Sequence, residues 1–166
     1  MKKILPIIYQ FLIGLILLEN FLIIKSSNAF LPKINEPNQE ELEKKSIYLG
    51  KAAIQLIQFG QNEEAIKLLK LAVNLNPDEK DLWLSLAEAQ IRSNKQYKAL
   101  LSLDKAIKLE PNKETLYFTK ASIYMNLKNP KEAKSLIQKG LSINKNNEKG
   151  YFQLGNAEIM LNNYKS

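Results

Sequence analysis

The sequence contains neither cysteine nor histidine among its 166 residues. The absence of cysteine excludes disulfide bonds, thiolate zinc sites, a cysteine nucleophile and a lipid-modified cysteine. The absence of histidine removes the side chain that titrates nearest to neutral pH and that most often binds metal ions. Both absences argue against an enzyme, and we predict no catalytic residue, no metal site and no cofactor.

Arginine is nearly absent as well, since Arg92 is the single arginine beside 23 lysines in a chain of formal net charge +7. Bidentate recognition of phosphates and base edges depends on the guanidinium fork, which lysine lacks. The six glycines form no G-x-x-x-x-G-K-S/T or G-x-G-x-x-G phosphate loop. The sequence therefore predicts no specific nucleic-acid partner. A content of 45% hydrophobic and 25% charged residues is that of a globular chain.

Residues 1–29 have the pattern of a targeting segment. Two lysines, Lys2 and Lys3, precede an uncharged apolar run, and Ser27 and Ala29 occupy the −3 and −1 positions of a cleavage site. This pattern predicts a secretory signal peptide that is cleaved before Phe30.

An uncleaved membrane anchor through residues 4–24 is the alternative, because about 20 apolar residues cross a bilayer. A third interpretation is a buried hydrophobic helix of a cytosolic domain. In both membrane interpretations the leading lysines stay in the cytoplasm and the rest of the chain is exported. We therefore predict export across a plasma or thylakoid membrane into a periplasm or lumen, or attachment to that membrane.

A 34-residue period begins after a linker, residues 30–38, that contains two prolines. Large residues recur in one column of this period and small residues in others, as expected for stacked helix-turn-helix units. The large column holds Leu49, Trp83, Tyr117 and Tyr151; the small columns hold Ala53, Ala87, Ala121 and Gly155, then Ala65, Ala99 and Ala133, then Ala72, Ala106 and Gly140.

The pattern resembles that of the tetratricopeptide repeat family. The residues that carry the resemblance are Trp83, Leu86, Ala87, Ala99, Leu103, Ala106 and Pro111. It implies an all-α, right-handed solenoid of antiparallel helix pairs over residues 39–166, with about three and a half repeats. The repeats are residues 46–79, 80–113, 114–147 and an incomplete fourth, 148–166, and the missing half predicts a piece of a longer chain.

The periodicity and the capping residues predict seven helices. We expect Asn38, Asn62 and Asn129 to cap helix N-termini, and Gly60 to take the left-handed conformation that closes a helix. The expected helices are residues 39–59, 62–75, 79–93, 95–109, 113–127, 130–143 and 147–161.

The resemblance implies a ligand groove along the first helix of each pair, on the concave side of the solenoid. We expect Phe118 and Phe152, which are 34 residues apart, to project into it as two adjacent apolar pockets. The alternative is that these apolar side chains pack on their own neighbours. The predicted groove residues are Leu84, Glu88, Ile91, Arg92, Phe118, Ser122, Met125, Lys149, Phe152, Asn156 and Ile159.

Some members of the family hold the carboxylate of a chaperone tail in a clamp of lysines and asparagines. The clamp positions correspond here to Leu84, Glu88, Thr119, Lys149 and Gln153. Only Lys149 has the required chemistry, which argues against this activity.

We therefore predict a protein-protein interaction scaffold or assembly factor that binds another protein or a peptide segment. One alternative is a structural subunit of a membrane or envelope complex. Another is nonspecific binding of anionic polymers by lysines, which would weaken steeply with salt. The five residues Leu5 to Tyr9 are weakly similar to the N-terminus of membrane-anchored cyanobacterial repeat proteins that assist photosystem assembly.

Overall fold

The computed structural model describes residues 38–163, which form helices connected by short turns without a strand. The predicted signal peptide or anchor and all of the predicted linker except Asn38 lie outside these residues. The helices are α1 (Gln39–Gln58), α2 (Asn62–Leu75), α3 (Lys80–Arg92), α4 (Gln96–Leu109), α5 (Glu114–Asn126), α6 (Pro130–Ile143) and α7 (Glu148–Asn163). Their bounds differ from the predicted ones by at most two residues.

Consecutive helices pack as three pairs, α1 with α2, α3 with α4 and α5 with α6, and each pair packs on the next. The first helices of neighbouring repeats also contact each other, α1 with α3 and α5 with α7. The second helices show no comparable contact within residues 38–163. The stack therefore closes toward the first helices, which form its inner side, and opens toward the second helices.

Only some of the predicted helix caps are present in the structure. Asn38 caps α1, its side chain accepting the backbone N–H of Glu41 at 2.8 Å. The prediction for Asn62 is wrong, because Gln61 is the N-cap of α2 and Asn62 is its first residue. Asn129 is the N-cap of α6, as predicted, but makes no side-chain capping bond; Pro130 follows it at a position in the first turn that suits proline.

The turn inside each repeat contains one left-handed residue, and these residues recur with the 34-residue period. Gly60 has φ 76°, as predicted, while Asn94 has φ 57° and Lys128 has φ 60°. Glycine tolerates this conformation without steric cost and asparagine tolerates it better than most residues, whereas lysine does not. The third repeat therefore carries backbone strain that the first avoids.

The small columns mark the places where paired helices meet. The side chains of Ala53, Ala65, Ala87, Ala99, Ala121 and Ala133 are all 0% exposed. In the large column, Trp83 Nε1 donates to the carbonyl of Pro77 at 2.7 Å, and Tyr117 Oη donates to the carbonyl of Pro111 at 2.8 Å. Each aromatic side chain thus ties its helix to the turn that precedes it.

The second repeat replaces an apolar pair by a polar one. Gln90 and Ser102 are 3% and 4% exposed, and Ser102 Oγ donates to Gln90 Oε1 at 2.8 Å. The corresponding residues of the first repeat are Leu56 and Leu68, which pack on the hydrophobic core. Because the two polar residues partner each other, the burial of Gln90 leaves its carbonyl oxygen satisfied.

The junction between the third and fourth units is built from a large ring and two glycines. Phe118 packs against Gly140 on α6 and Gly150 on α7, where an added Cβ would lie 2.6 Å and 2.7 Å from the ring. The corresponding residues one repeat earlier are Leu84, Ala106 and Leu116, which belong to another core cluster. The larger side chain at the first position is accommodated by smaller ones at the other two.

Within residues 38–163, no helix has both the length and the apolar character that crossing a bilayer requires.

Candidate functional site

A groove between α5 and α7 runs along the inner side of the stack, and we call it the α5–α7 groove. It joins two adjacent cavities of about 390 Å³ each, which share Ser122, Asn126, Lys149 and Gln153. A shallower depression of about 490 Å³ continues it past Met125 toward the C-terminal half of α7.

The apolar wall of the groove comes from three side chains on its two helices. Phe152 is 71% exposed and Ile159 is 60% exposed, while Met125 is half-buried. All three line one or more of the adjoining cavities. An aromatic ring left so exposed beside a cavity is available to a ligand without any unfolding of the helix.

Phe118 does not match Phe152, although both occupy the same repeat position. Its side chain is only 8% exposed, because its ring is covered by Gly140 and Gly150. The expectation that both rings project into the groove is therefore wrong for Phe118. Its ring supplies part of the groove floor and belongs mainly to the core.

The polar floor of the groove is organised by Gln153. Its Nε2 donates to Ser122 Oγ at 3.0 Å, and Ser122 Oγ in turn donates to the carbonyl of Phe118 at 3.1 Å. Gln153 Oε1 is buried and has no hydrogen-bond partner among the described residues. The hydrogen bond to Ser122 fixes the position of the Gln153 amide on the groove floor.

The ionic character of the groove is basic. Lys149 lines both cavities of about 390 Å³, and Lys128 lines the depression beside them. No aspartate or glutamate lines any of these three spaces. The groove therefore offers apolar contacts, amide and hydroxyl groups, and positive charge.

Three predicted groove residues lie elsewhere. Leu84 is half-buried and packs on the core of the second repeat. Glu88 and Arg92 form an exposed ion pair one helical turn apart, with Arg92 Nη2 2.9 Å from Glu88 Oε1. None of the three lines the α5–α7 groove. The predicted residues that do line it are Ile91, Phe118, Ser122, Met125, Lys149, Phe152, Asn156 and Ile159.

Thr119, Asn147 and Gln153 also line the groove, although the sequence does not predict them as groove residues. Thr119 and Gln153 stand in the sequence pattern only as clamp positions. Asn147 is the last residue of the third repeat and precedes α7, where its Oδ1 accepts the backbone N–H of Gly150 at 2.9 Å. An N-cap signal at Asn147 would have found it.

Three side chains with shifted pKa values lie at contacts between different helices of the stack or the turns that connect them. The Asn144 amide, which donates to Glu114 Oε1 at 3.0 Å, lowers the pKa of that carboxyl. A hydrogen bond from Lys95 lowers the pKa of the Glu63 carboxyl, and a hydrogen bond to Glu110 raises the pKa of Lys80. Lys80 and Glu114 occupy the same repeat position, and so do their partners Glu110 and Asn144. The equivalent contact is therefore an ion pair in one repeat and a hydrogen bond between a carboxylate and an amide in the next.

No group of three or more acidic residues suited to a metal ion occurs in the part of the chain that the structure describes.

The sequence profile of the tetratricopeptide repeat family matches residues 46–79 and 114–147. The chain therefore contains tetratricopeptide repeats. The all-α solenoid predicted from the 34-residue period is confirmed.

Solved structures with the same repeats have the same fold. The first tetratricopeptide domain of Spaghetti (RPAP3) bound to the HSP90 peptide SRMEEVD is 21% identical, with a TM-score of 0.67 over 72% of this chain and 94% of that chain. The Arabidopsis OM64 domain is 16% identical, with a TM-score of 0.65 over 70% and 96%.

The Yersinia enterocolitica type III secretion chaperone SycD, solved with a peptide of the translocator YopD, is 18% identical, with a TM-score of 0.60 over 71% of this chain and 90% of that chain. No curated protein matches the sequence. These comparisons do not address the similarity of residues 5–9 to cyanobacterial assembly factors, which stays a prediction.

Proposed function

We propose that this tetratricopeptide repeat protein is an interaction scaffold that captures a segment of a partner protein in the α5–α7 groove. The observation that carries the proposal is the exposure of Phe152 beside two connected cavities whose lining combines apolar, amide and basic groups. Two of the similar solved structures contain a bound peptide, according to their descriptions, which supports the same mode of action here.

The chemistry of the groove favours a particular kind of segment. Phe152 and Ile159 suit an apolar side chain of the partner, and Lys149 favours a carboxylate or another anionic group next to it. The preferred partner is therefore a segment with an apolar anchor and an acidic neighbour.

Site-specific photocrosslinking in cells, followed by mass spectrometry of the crosslinked peptides, identifies such a segment directly. A photoreactive residue at Asn156, inside the groove, is compared with one at Ser135, which is exposed on the second helix α6. We expect a defined partner segment to be crosslinked from Asn156 and not from Ser135. Equal crosslinking from both positions would contradict a groove-specific interaction.

The affinity of the identified segment then tests whether Phe152 is the main apolar contact of the groove. Truncation of an aromatic anchor costs about 2 kcal/mol of binding free energy or more, so Phe152→Ala should raise Kd about thirtyfold. Tyr151→Ala is the matched control, because Tyr151 is 54% exposed and does not line the groove. A Kd unchanged by Phe152→Ala would place the partner on another surface.

Export and membrane anchoring are proposals about residues 1–29, which lie outside the described part. Intact-mass analysis of the natural protein tests them, since a cleaved product begins at Phe30 and an anchored one keeps Lys2 in the membrane fraction. A structural role in an envelope complex has no supporting observation among residues 38–163.

A further inference from the structure

The charges of the repeat domain are divided unequally between its two sides. The second helices, α2, α4 and α6, carry eight lysines against four carboxylates. The first helices, α1, α3, α5 and α7, carry seven basic residues against eight carboxylates. The positive charge of the helices therefore lies on the outer side of the stack, away from the α5–α7 groove.

The outward face of α4 combines this charge with exposed apolar side chains. Tyr97 is 73% exposed and Leu101 is 69% exposed. The exposed lysines Lys98, Lys105 and Lys108 lie within the same arc of about 100° on the helix. We call these five residues the outer face of α4.

The apolar pair on the outer face of α4 is a departure from the repeat pattern. At the positions of Tyr97 and Leu101, α2 carries Glu63 and Lys67, and α6 carries Lys131 and Ser135. The packing of a second helix on its neighbours therefore does not require apolar residues there.

The carboxylates near this face are few. Asp104 borders it and is paired with Lys120 on α5. Asp78, in the turn before α3, lines a small hollow of about 190 Å³ together with Lys105 and Lys108. The three lysines of the face have no ion-pair partner within 4.0 Å among the described residues, so their charge is available to an anionic surface.

We propose that the outer face of α4 docks on the anionic surface of a lipid bilayer, with Tyr97 and Leu101 inserted at the interface. Lysines near an anionic leaflet each strengthen partitioning about fivefold, the equivalent of about 1 kcal/mol. Tyrosine places its ring at the headgroup level and leucine gains from the hydrocarbon boundary. A single-stranded nucleic acid would use the lysines and could stack a base on Tyr97, but it gives the exposed Leu101 no apolar medium to enter, whereas a bilayer does.

This arrangement leaves the partner groove free, because the groove lies on the first helices and the docking surface on the second. The proposal does not depend on partner capture, and each fails or survives by a separate measurement.

Residue-resolved acetylation of lysines in the full chain tests the proposal whether or not residues 1–29 insert into the vesicles. Vesicles of pure phosphatidylcholine are compared with vesicles that contain about 30% phosphatidylserine. We expect the acetylation of Lys98, Lys105 and Lys108 to slow at least about fivefold in the anionic vesicles and to recover in about 1 M salt. Lys45 and Lys51, exposed on α1, should react equally in both.

The double variant Tyr97→Ser/Leu101→Ser separates bilayer docking from simple charge attraction. It should reduce the protection of the three lysines at least threefold, and it should fold normally because α6 carries Ser135 at one of these positions. Tyr151→Ser is the matched control, since it removes another exposed tyrosine, from a first helix. Unchanged protection in the double variant would overturn the insertion of the apolar pair.

Two further outcomes would overturn the proposal. Equal acetylation rates in neutral and anionic vesicles would show that the face does not meet the membrane. Protection by single-stranded polythymidylate without protection by anionic vesicles would assign the same lysines to a nucleic acid.

Discussion

Phe118 and Phe152 occupy the same position in successive repeats, yet Phe118 is 8% exposed and Phe152 is 71% exposed. Their neighbours Tyr117 and Tyr151 differ in the same direction, 8% against 54%. The ring of Phe118 is covered by Gly150 of the following repeat, whereas among the described residues no further repeat packs on Phe152. The environment of a position in this stack is therefore decided by the repeat that follows it.

The same comparison separates a structural residue from a candidate ligand contact. Phe118 is a core residue with one edge in the groove, and its removal should act on stability. Phe152 is an accessible residue, and its removal should act on binding. The predictions below test this division, beginning with the largest expected effect.

The largest effect is expected from truncation of the buried ring. Phe118→Ala should lower the free energy of unfolding by about 3 to 5 kcal/mol, because it removes buried area and leaves a cavity. Phe152→Ala should change it by less than about 0.5 kcal/mol, as for other exposed positions. Chemical denaturation followed by circular dichroism measures both. Equal losses would mean that the two rings have the same environment in solution.

The glycine that admits the ring of Phe118 offers a second test. Gly150→Leu should lower the free energy of unfolding by about 1 to 3 kcal/mol, since the leucine occupies the space of the ring. The triple variant Phe118→Leu, Gly140→Ala and Gly150→Leu reproduces the residues of the preceding junction. It should be more stable than Gly150→Leu alone. Failure to recover any stability would contradict the idea that the side chains at these three positions are matched in size.

The buried hydrogen bond between Ser102 and Gln90 tests whether the core inside one helix pair can be polar in one repeat and apolar in another. Ser102→Ala should lower the free energy of unfolding by about 1 to 2 kcal/mol, because Gln90 Oε1 then loses its donor while it stays buried. The double variant Gln90→Leu/Ser102→Leu copies the first repeat and should recover most of the loss in thermal denaturation. A silent Ser102→Ala would indicate that water reaches Gln90.

The smallest expected effect is on the pH dependence of stability, and it compares the equivalent contacts of Glu114 and Lys80. The lowered pKa of Glu114 means that its contribution to stability is present above its unfolded value and is lost as the pH falls through the folded value. The raised pKa of Lys80 means that its contribution is present below its unfolded value and is lost as the pH rises through the folded value. Unfolding midpoints measured across pH should therefore decline at both ends.

Two neutral variants assign the two limbs of that profile. Glu114→Gln should flatten the decline at acid pH and leave the alkaline limb unchanged. Lys80→Met should flatten only the alkaline limb. Both groups are accessible to solvent, so each effect should shrink in high salt. If neither variant alters the dependence of the unfolding midpoint on pH, the contacts of Glu114 and Lys80 are not its source.

The helix bounds were predictable because they depend on residues that are close in sequence. Asn38 and Gly60 act through their own turns, and the alanine columns fix where helices approach one another. The left-handed position of Gly60 recurs with the 34-residue period at Asn94 and Lys128, although the sequence analysis predicted it only for Gly60.

The groove was predicted less accurately, because a position within a repeat does not specify its neighbours. Leu84, Glu88 and Arg92 have the same positions as groove residues of later repeats, but Leu84 packs on the core and the other two pair with each other. Asn147 lines the groove from the turn before α7, although the sequence pattern predicts it as the first residue of that helix.

By itself the sequence determined the all-α solenoid, the length of its unit and the absence of histidine and cysteine chemistry. Local capping and the period of small residues suffice for these features, since each acts within one repeat. Only the tertiary structure decided that Phe118 is buried while Phe152, at the same repeat position, stays exposed. This difference depends on the packing between repeats, where a glycine on one helix determines the room for a ring on another.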